Sequence, residues 1–149
     1  MKKVLASIVV ILLASVAQPA SVLNAAPLVT ANAGVVKVTV HYKGKGQVDG
    51  SHKIWVWLFD TPNIGAGSMP IDQTSVDKND SEVTFDGVAP GQVYIAVAFD
   101  ESGSMMGDAP PPTGTPIGIL MGANGAPNAI TPGEKGIATV TFDDSMRMP

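Results

Sequence analysis

The stretch KIWVWLF, residues 53–59, decides the fold class because it is apolar on both sides of an extended strand. Successive side chains of a strand point to opposite faces of its sheet. The stretch therefore has two apolar faces, one formed by Trp55, Trp57 and Phe59 and the other by Ile54, Val56 and Leu58. Such a strand needs a covering layer on each side, which predicts a central strand of a layered β-protein. Two tryptophans on one face of an apolar strand favour a core position for both rings.

Shorter strand-like runs surround this stretch. Apolar and polar residues alternate at 36–42 and 137–142, and further strands are predicted at 71–76, 81–85, 93–99 and 117–121. The chain contains 16 glycines and 12 prolines, many of them in the turns between these runs. No helical period is present after the N-terminal segment. The pattern predicts an all-β fold, an antiparallel β-sandwich of about seven strands.

The N-terminal segment has the features of an export signal. Lys2 and Lys3 precede an apolar run at 4–17, which is short for a membrane span and typical of a secretory signal. We predict a signal peptide over residues 1–25, with cleavage after Ala25 or as late as Ala33. A flexible leader at 26–34 and one sandwich domain at 35–149 would follow. The prediction is a secreted or periplasmic protein without stable membrane insertion once the signal is cleaved.

Composition excludes several classes of protein. The chain has no cysteine, so neither a disulfide framework nor a lipoprotein anchor is possible. The net charge is −4, with 9 basic and 13 acidic residues. Removal of Lys2 and Lys3 with the signal would make the charge −6. Nucleic acids and anionic membranes require clusters of basic residues, so neither is a predicted partner.

The most specific stretch is FDGVAPGQVYIAVAFD, residues 85–100. Pro90 and Gly91 are typical of a sharp reversal, which predicts a hairpin whose two halves carry aromatic residues into one core. The stretch resembles a motif of carboxypeptidase regulatory-like and transthyretin-like (prealbumin-like) β-sandwich domains of secreted bacterial proteins. The resemblance extends over about 35–142 and implies a prealbumin-like sandwich. It implies no single activity, because such modules serve as accessory, adhesive, sugar-binding or carrier domains.

A candidate metal site follows the same stretch. Some secreted proteins of this resemblance carry an acidic, Asn-rich loop at this place, and the matching residues here are Asp100, Ser102, Ser104 and Asp108. Calcium prefers six to eight oxygen ligands from alternating loop positions. The serines are weaker ligands than asparagine, and Met105 stands where the motif has glycine. The sequence therefore leaves two alternatives, a weak Ca²⁺ site and a hydrogen-bonded turn without an ion.

Other chemistry is less well supported by the sequence. Several methionines, with His41 and His52, are ligand types that copper accepts, but they form no copper-binding cluster. No nucleophile motif of a hydrolase is present, so catalysis is not predicted. Trp55 and Trp57 would favour sugar binding only if their face were exposed. The segment DAPPPTGTP, residues 108–116, favours an extended polyproline conformation that a partner groove recognises or that shields a sheet edge.

The sequence as a whole predicts a non-catalytic secreted or periplasmic module that binds a partner or has a structural accessory role. The partner, protein or glycan, stays open, and no cofactor is required. Two alternatives are kept. One is a carbohydrate-binding module, and the other is a periplasmic protein that binds a divalent metal weakly, either calcium or copper.

Overall fold

The computed structural model describes residues 33–65 and 67–149. Across them the chain forms seven strands and no helix: β1 (Gly34–Tyr42), β2 (Ile54–Phe59), β3 (Asp72–Val76), β4 (Ser81–Val88), β5 (Tyr94–Phe99), β6 (Ile117–Ile119) and β7 (Ile137–Phe142). The predicted all-β sandwich of about seven strands is confirmed. The predicted signal peptide and all but the end of the leader lie outside the described residues. In the described part of the chain, no helix is long and apolar enough to cross a membrane.

The strands form two sheets. A three-stranded sheet has the order β4-β1-β7, and a four-stranded sheet has the order β3-β2-β5-β6. As KIWVWLF predicts, β2 lies inside its sheet between two neighbours. The strand predicted at 71–76 is indeed an edge strand, β3. These two sheets pack face to face, as expected for a sandwich.

One core fills the space between the sheets. It includes the fully buried Val36, Val38 and Val40 of β1 together with Ile54, Val56 and Leu58 of β2. Phe85, Phe99 and Phe142 close this core with aromatic rings. The alternation of buried and exposed residues in β1 and β7 follows directly from the two-residue period of a strand.

Two features of the topology differ from the sequence prediction. β4 and β5 do not form a hairpin, because β4 belongs to the three-stranded sheet and β5 to the four-stranded one. The Pro90-Gly91 turn instead carries the chain across the sandwich, and Phe85 and Phe99 still meet in one core. The sandwich is also not wholly antiparallel. β7 pairs with β1 in parallel, since the long connection after β6 lets the chain enter β7 in the direction of β1.

Candidate functional site: an apolar pocket over the four-stranded sheet

A second apolar cluster lies on the outer face of the four-stranded sheet. Its buried members alternate with core residues along β2 and β5: Trp57, Phe59, Tyr94, Ala96 and Ala98. Trp55, Met105, Ile117 and Ile119 pack against this cluster and are partly buried. No third layer of strands or helices covers this face in the described residues. The chain covers it with its own loops.

The loop between β5 and β6, residues 100–116, is the main cover. The indole Nε1–H of Trp57 donates to the carbonyl of Gly107 at 2.9 Å and to Oε1 of Gln73 at 3.1 Å. Gly107 is buried and lies against the ring of Trp55, where an added Cβ would come within 2.1 Å of a ring carbon. Its φ of +79° is also in the region that favours glycine. The loop is therefore fixed to the sheet face at one glycine.

Asp100 organises the start of the loop. This side chain is only 3% exposed. Its carboxylate accepts the backbone N–H of Met105 at 2.8 Å and that of Ser104 at 3.2 Å, as well as the hydroxyl of Ser102 at 2.9 Å. Buried carboxylates require such donors. The loop thus begins with a hydrogen-bonded turn built around one acid.

The predicted metal ligands are only partly brought together. Asp100, Ser102 and Ser104 share hydrogen bonds, whereas Asp108 lies beyond Gly107, is exposed, and lines the pocket described below. Both carboxylate oxygens of Asp100 already accept N–H or O–H groups. Among the described residues, no three His, Cys, Asp or Glu side chains are grouped to hold an ion. This arrangement favours the hydrogen-bonded turn, and Ca²⁺ binding stays a prediction.

The histidines of the copper hypothesis lie apart, His41 in β1 and His52 in the connection between β1 and β2. His41 Nδ1 bonds to Asp80, and His52 Nδ1 bonds to Asp49 at 3.1 Å. Of the methionines, Met69, Met106, Met121 and Met146 are exposed. Each described histidine therefore has an acidic partner, and copper binding also stays a prediction.

The loops leave a pocket on this sheet face, which we call the sheet-face pocket. It has a volume of about 380 Å³. Trp57, Phe59, Ala96, Ile117 and Ile119 line it from the sheet. One wall is the loop after β2, with Ile64, Met69 and Pro70, and the opposite wall is the Pro-rich loop at 107–111. The pocket is lined mainly by apolar side chains.

The C-terminal segment forms a further part of the pocket wall, next to the Pro-rich loop. Met148 and Pro149 line the pocket. The backbone N–H of Gly114 donates to the carbonyl of Met148 at 2.8 Å, and the N–H of Met148 donates to the carbonyl of Thr115 at 2.9 Å. Arg147 holds the same region by a charged contact to Glu101 at 2.8 Å. Backbone pairing therefore fixes the position of Met148 relative to the Pro-rich loop.

Few polar side chains face the sheet-face pocket. Ser68 is engaged locally, since its hydroxyl donates to the carbonyl of Asn63 at 2.8 Å and accepts the N–H of Gly65 at 2.9 Å. Asp108 is the charged side chain of the lining, and no hydrogen bond or ion pair engages its carboxylate within the described residues. A site of this kind combines a hydrophobic interior with a single polar group at its edge.

The tryptophans do not form an exposed platform for sugars. Trp57 is 5% exposed, and Trp55 is half-buried beneath Gly107. Their ring centroids are 6.3 Å apart with an angle of 22° between the planes. Sequence reasoning correctly favoured burial of this face, but it missed the pocket. The only sequence signals of the pocket were the long Gly- and Pro-rich stretches at 60–70 and 100–116. Such stretches predict loops, but they do not predict which surface the loops cover.

Comparison of the chain with family models, with curated proteins and with solved structures found no match. The resemblance to transthyretin-like domains therefore stays a prediction.

Proposed function

We propose that this protein is an exported, non-catalytic binding module that takes a small apolar molecule into the sheet-face pocket. The observation that carries the proposal is the pocket itself, where apolar side chains of one sheet and two loops surround about 380 Å³. Exposed apolar surface of this kind is costly in water, and its burial by a ligand is favourable. The floor of the pocket belongs to a buried aromatic cluster on the outer face of the sheet, and packing within this cluster fixes its position.

The volume limits the size of the ligand. An apolar cavity of about 150 Å³ holds one benzene molecule, so 380 Å³ suits a molecule with roughly two fused rings or an aliphatic body of that size. Ligand pockets of drug-like molecules span about 300–1,000 Å³, and this one is at the small end. A neutral ligand of about twelve non-hydrogen atoms, at roughly 0.5 kcal/mol per atom, would bind with a dissociation constant of tens of micromolar.

Export is part of the proposal. It is supported by Lys2 and Lys3 before the apolar run at 4–17. Mass spectrometry of the protein from the periplasmic or culture fraction should show an N-terminus after Ala25 or as late as Ala33. Recovery of the intact chain in the cytoplasm alone would contradict export.

The transthyretin-like relationship is also proposed rather than shown. The two-sheet architecture and the Pro90-Gly91 turn leading into β5 support it. The accessory or carrier role that the resemblance implies agrees with a small binding pocket. The resemblance itself identifies no residue of the pocket.

The test uses 2-naphthalenemethanol, a neutral two-ring probe, titrated against the protein by isothermal calorimetry. The wild type should bind it in the micromolar range. Ala96→Met should weaken binding at least ten-fold, because Ala96 lines the pocket and a longer side chain would occupy it. Ala126→Met adds the same side chain at an exposed position outside the pocket and should bind as the wild type does.

Thermal melts of both variants would show that each is folded under the conditions of the titration. Wild-type binding that is undetectable at millimolar probe would contradict the proposal. Equal affinities of Ala96→Met and Ala126→Met would contradict the placement of the site.

A further inference from the structure

We propose that the ligand of the sheet-face pocket is a small organic ammonium ion with an apolar body. Its charged group lies against Asp108 at the pocket edge. This inference rests on the proposed function and goes further by naming the chemical class of the ligand. It follows from the position of Asp108, from the lack of a partner for its carboxylate among the described residues and from the composition of the lining.

The position of Asp108 relative to the pocket floor is fixed by its neighbour. The carbonyl of Gly107 accepts the indole N–H of Trp57 at 2.9 Å, and Trp57 is part of the floor. One residue later, Asp108 is exposed and lines the same pocket. A ligand resting on the floor therefore has a carboxylate within its reach at the edge.

The loop contains three acidic residues, and two of them are already engaged. Asp100 is buried in hydrogen bonds of its own turn. Glu101 pairs with both terminal nitrogens of the Arg147 guanidinium, Nη1 at 2.8 Å and Nη2 at 3.3 Å. In the described residues, Asp108 alone of the three has neither an ion pair nor a hydrogen bond to its side chain. Its carboxylate is free to accept a ligand's donor.

No lysine, arginine or histidine lines the pocket among the described residues. A bound carboxylate or sulfate would therefore lack a partner and would lie close to Asp108. The net charge of −4 for the whole chain also favours the approach of cations over anions. Charge complementarity thus selects an ammonium group, and the apolar lining selects its hydrocarbon body.

The test compares three probes with the same two-ring body and different charge: 2-naphthylmethylamine, 2-naphthalenemethanol and 2-naphthoic acid. At low salt and neutral pH, we expect the amine to bind about five-fold more tightly than the alcohol. This ratio corresponds to the upper end of the free energy that an exposed charge pair contributes. The acid should bind more weakly than the alcohol. Salt should reduce the preference for the amine because the pair is near solvent.

Asp108→Asn should remove the preference for the amine, so that the amine and the alcohol bind with equal affinity. Asp86→Asn, at an exposed acid on the other sheet, removes the same charge and should keep the preference.

Equal binding of amine and alcohol by the wild type, or a preference that survives in Asp108→Asn, would overturn this inference and leave the proposed function standing. If none of the three probes binds, the proposed function fails, and this inference fails with it.

Discussion

At the scale of single residues, Gly107 has the most demanding position in the loop that forms the pocket wall. It needs a positive φ, it lies against the Trp55 ring, and its carbonyl accepts the indole N–H of Trp57. The first requirement comes from the loop itself, and the other two come from strand β2. A glycine is the residue that satisfies all three, because any Cβ would overlap the ring.

Gly107→Ala should therefore lower the free energy of unfolding by about 2–4 kcal/mol, from the strained backbone together with the displaced ring. Chemical denaturation followed by tryptophan fluorescence measures this directly. Gly114→Ala is the matched control, since Gly114 has a similar φ of +87° but open space around its Cβ position. It should cost only about 1 kcal/mol. Equal costs at the two glycines would show that the loop does not pack on Trp55 as described.

The pair formed by Tyr42 and Asp144 links stability to pH. The Tyr42 hydroxyl donates to the Asp144 carboxylate, and the Tyr42 ring stacks on Phe99 with centroids 4.5 Å apart. This hydrogen bond, followed by the N–H of Lys45, holds the pKa of Asp144 below its ordinary value. Burial, followed by the bond to Asp144, raises the pKa of Tyr42 above its ordinary value.

The signs predict loss of stability at both ends of the pH range. A lowered carboxyl pKa contributes stability above the ordinary value of about 4, and that contribution is lost as the pH falls through the folded-state pKa. A raised tyrosine pKa contributes stability below about 10, and it is lost as the pH rises beyond that value. Asp144→Asn should flatten the acid side of a plot of unfolding free energy against pH. Tyr42→Phe should flatten the alkaline side.

Asp77→Asn, at an exposed acid in the turn after β3, removes the same charge away from this pair and provides the control. An acid slope that Asp144→Asn does not change would contradict the role assigned to this pair.

At the scale of elements, β2 carries the contact between the sheet and the loop. Trp57 Nε1 has two acceptors, whereas Trp55 Nε1 is buried and has no partner among the described residues. Replacement of either ring by phenylalanine removes a similar volume and one N–H. Only Trp57→Phe also removes the hydrogen bond that holds the loop.

We expect Trp57→Phe to cost about 1–2 kcal/mol more than Trp55→Phe, because it leaves the buried carbonyl of Gly107 unsatisfied. Urea denaturation measures the difference. Faster hydrogen exchange of the loop at 100–116 in Trp57→Phe, and less so in Trp55→Phe, would locate the effect. If Trp55→Phe were the more destabilising substitution, the hydrogen bond would not be what fixes the loop.

Strand positions were predictable because alternation of apolar residues is a local property. Apolar residues alternate over 36–42 and again over 138–142, and both stretches lie in strands of the three-stranded sheet. The pairing of strands was less predictable. Alternation shows which side of a strand is buried, but Phe85 and Phe99 reach the same core from opposite sheets. Local alternation therefore predicts a hairpin at Pro90-Gly91, although this turn connects the two layers.

At the scale of the whole molecule, the sandwich has two apolar layers with different roles. The inner one is closed between the sheets, and the outer one lies between the four-stranded sheet and its loops. The doubly apolar stretch at 53–59 predicted that both sides of β2 would be covered. The same stretch did not predict the sheet-face pocket, because the shape of the pocket depends on loops from three separate parts of the chain.

The predicted metal residues show the same limit. The match to an acidic loop grouped Asp100 with Asp108, but Gly107, which precedes Asp108, packs against Trp55 and accepts the N–H of Trp57. One acid consequently organises a turn, and the other reaches the sheet-face pocket. Contacts of the loop with the sheet, which are distant in sequence, separate the two roles.

The most direct test of the central claim is a methyl NMR titration with 2-naphthalenemethanol on protein labelled at methionine methyl groups. Met69 and Met148 line the sheet-face pocket, whereas the equally observable Met106 and Met121 do not. We predict saturable shifts of the Met69 and Met148 methyl signals, with Met106 and Met121 unchanged. Shifts confined to Met106 or Met121, or no saturable shift at any of the four, would contradict a ligand site over the four-stranded sheet.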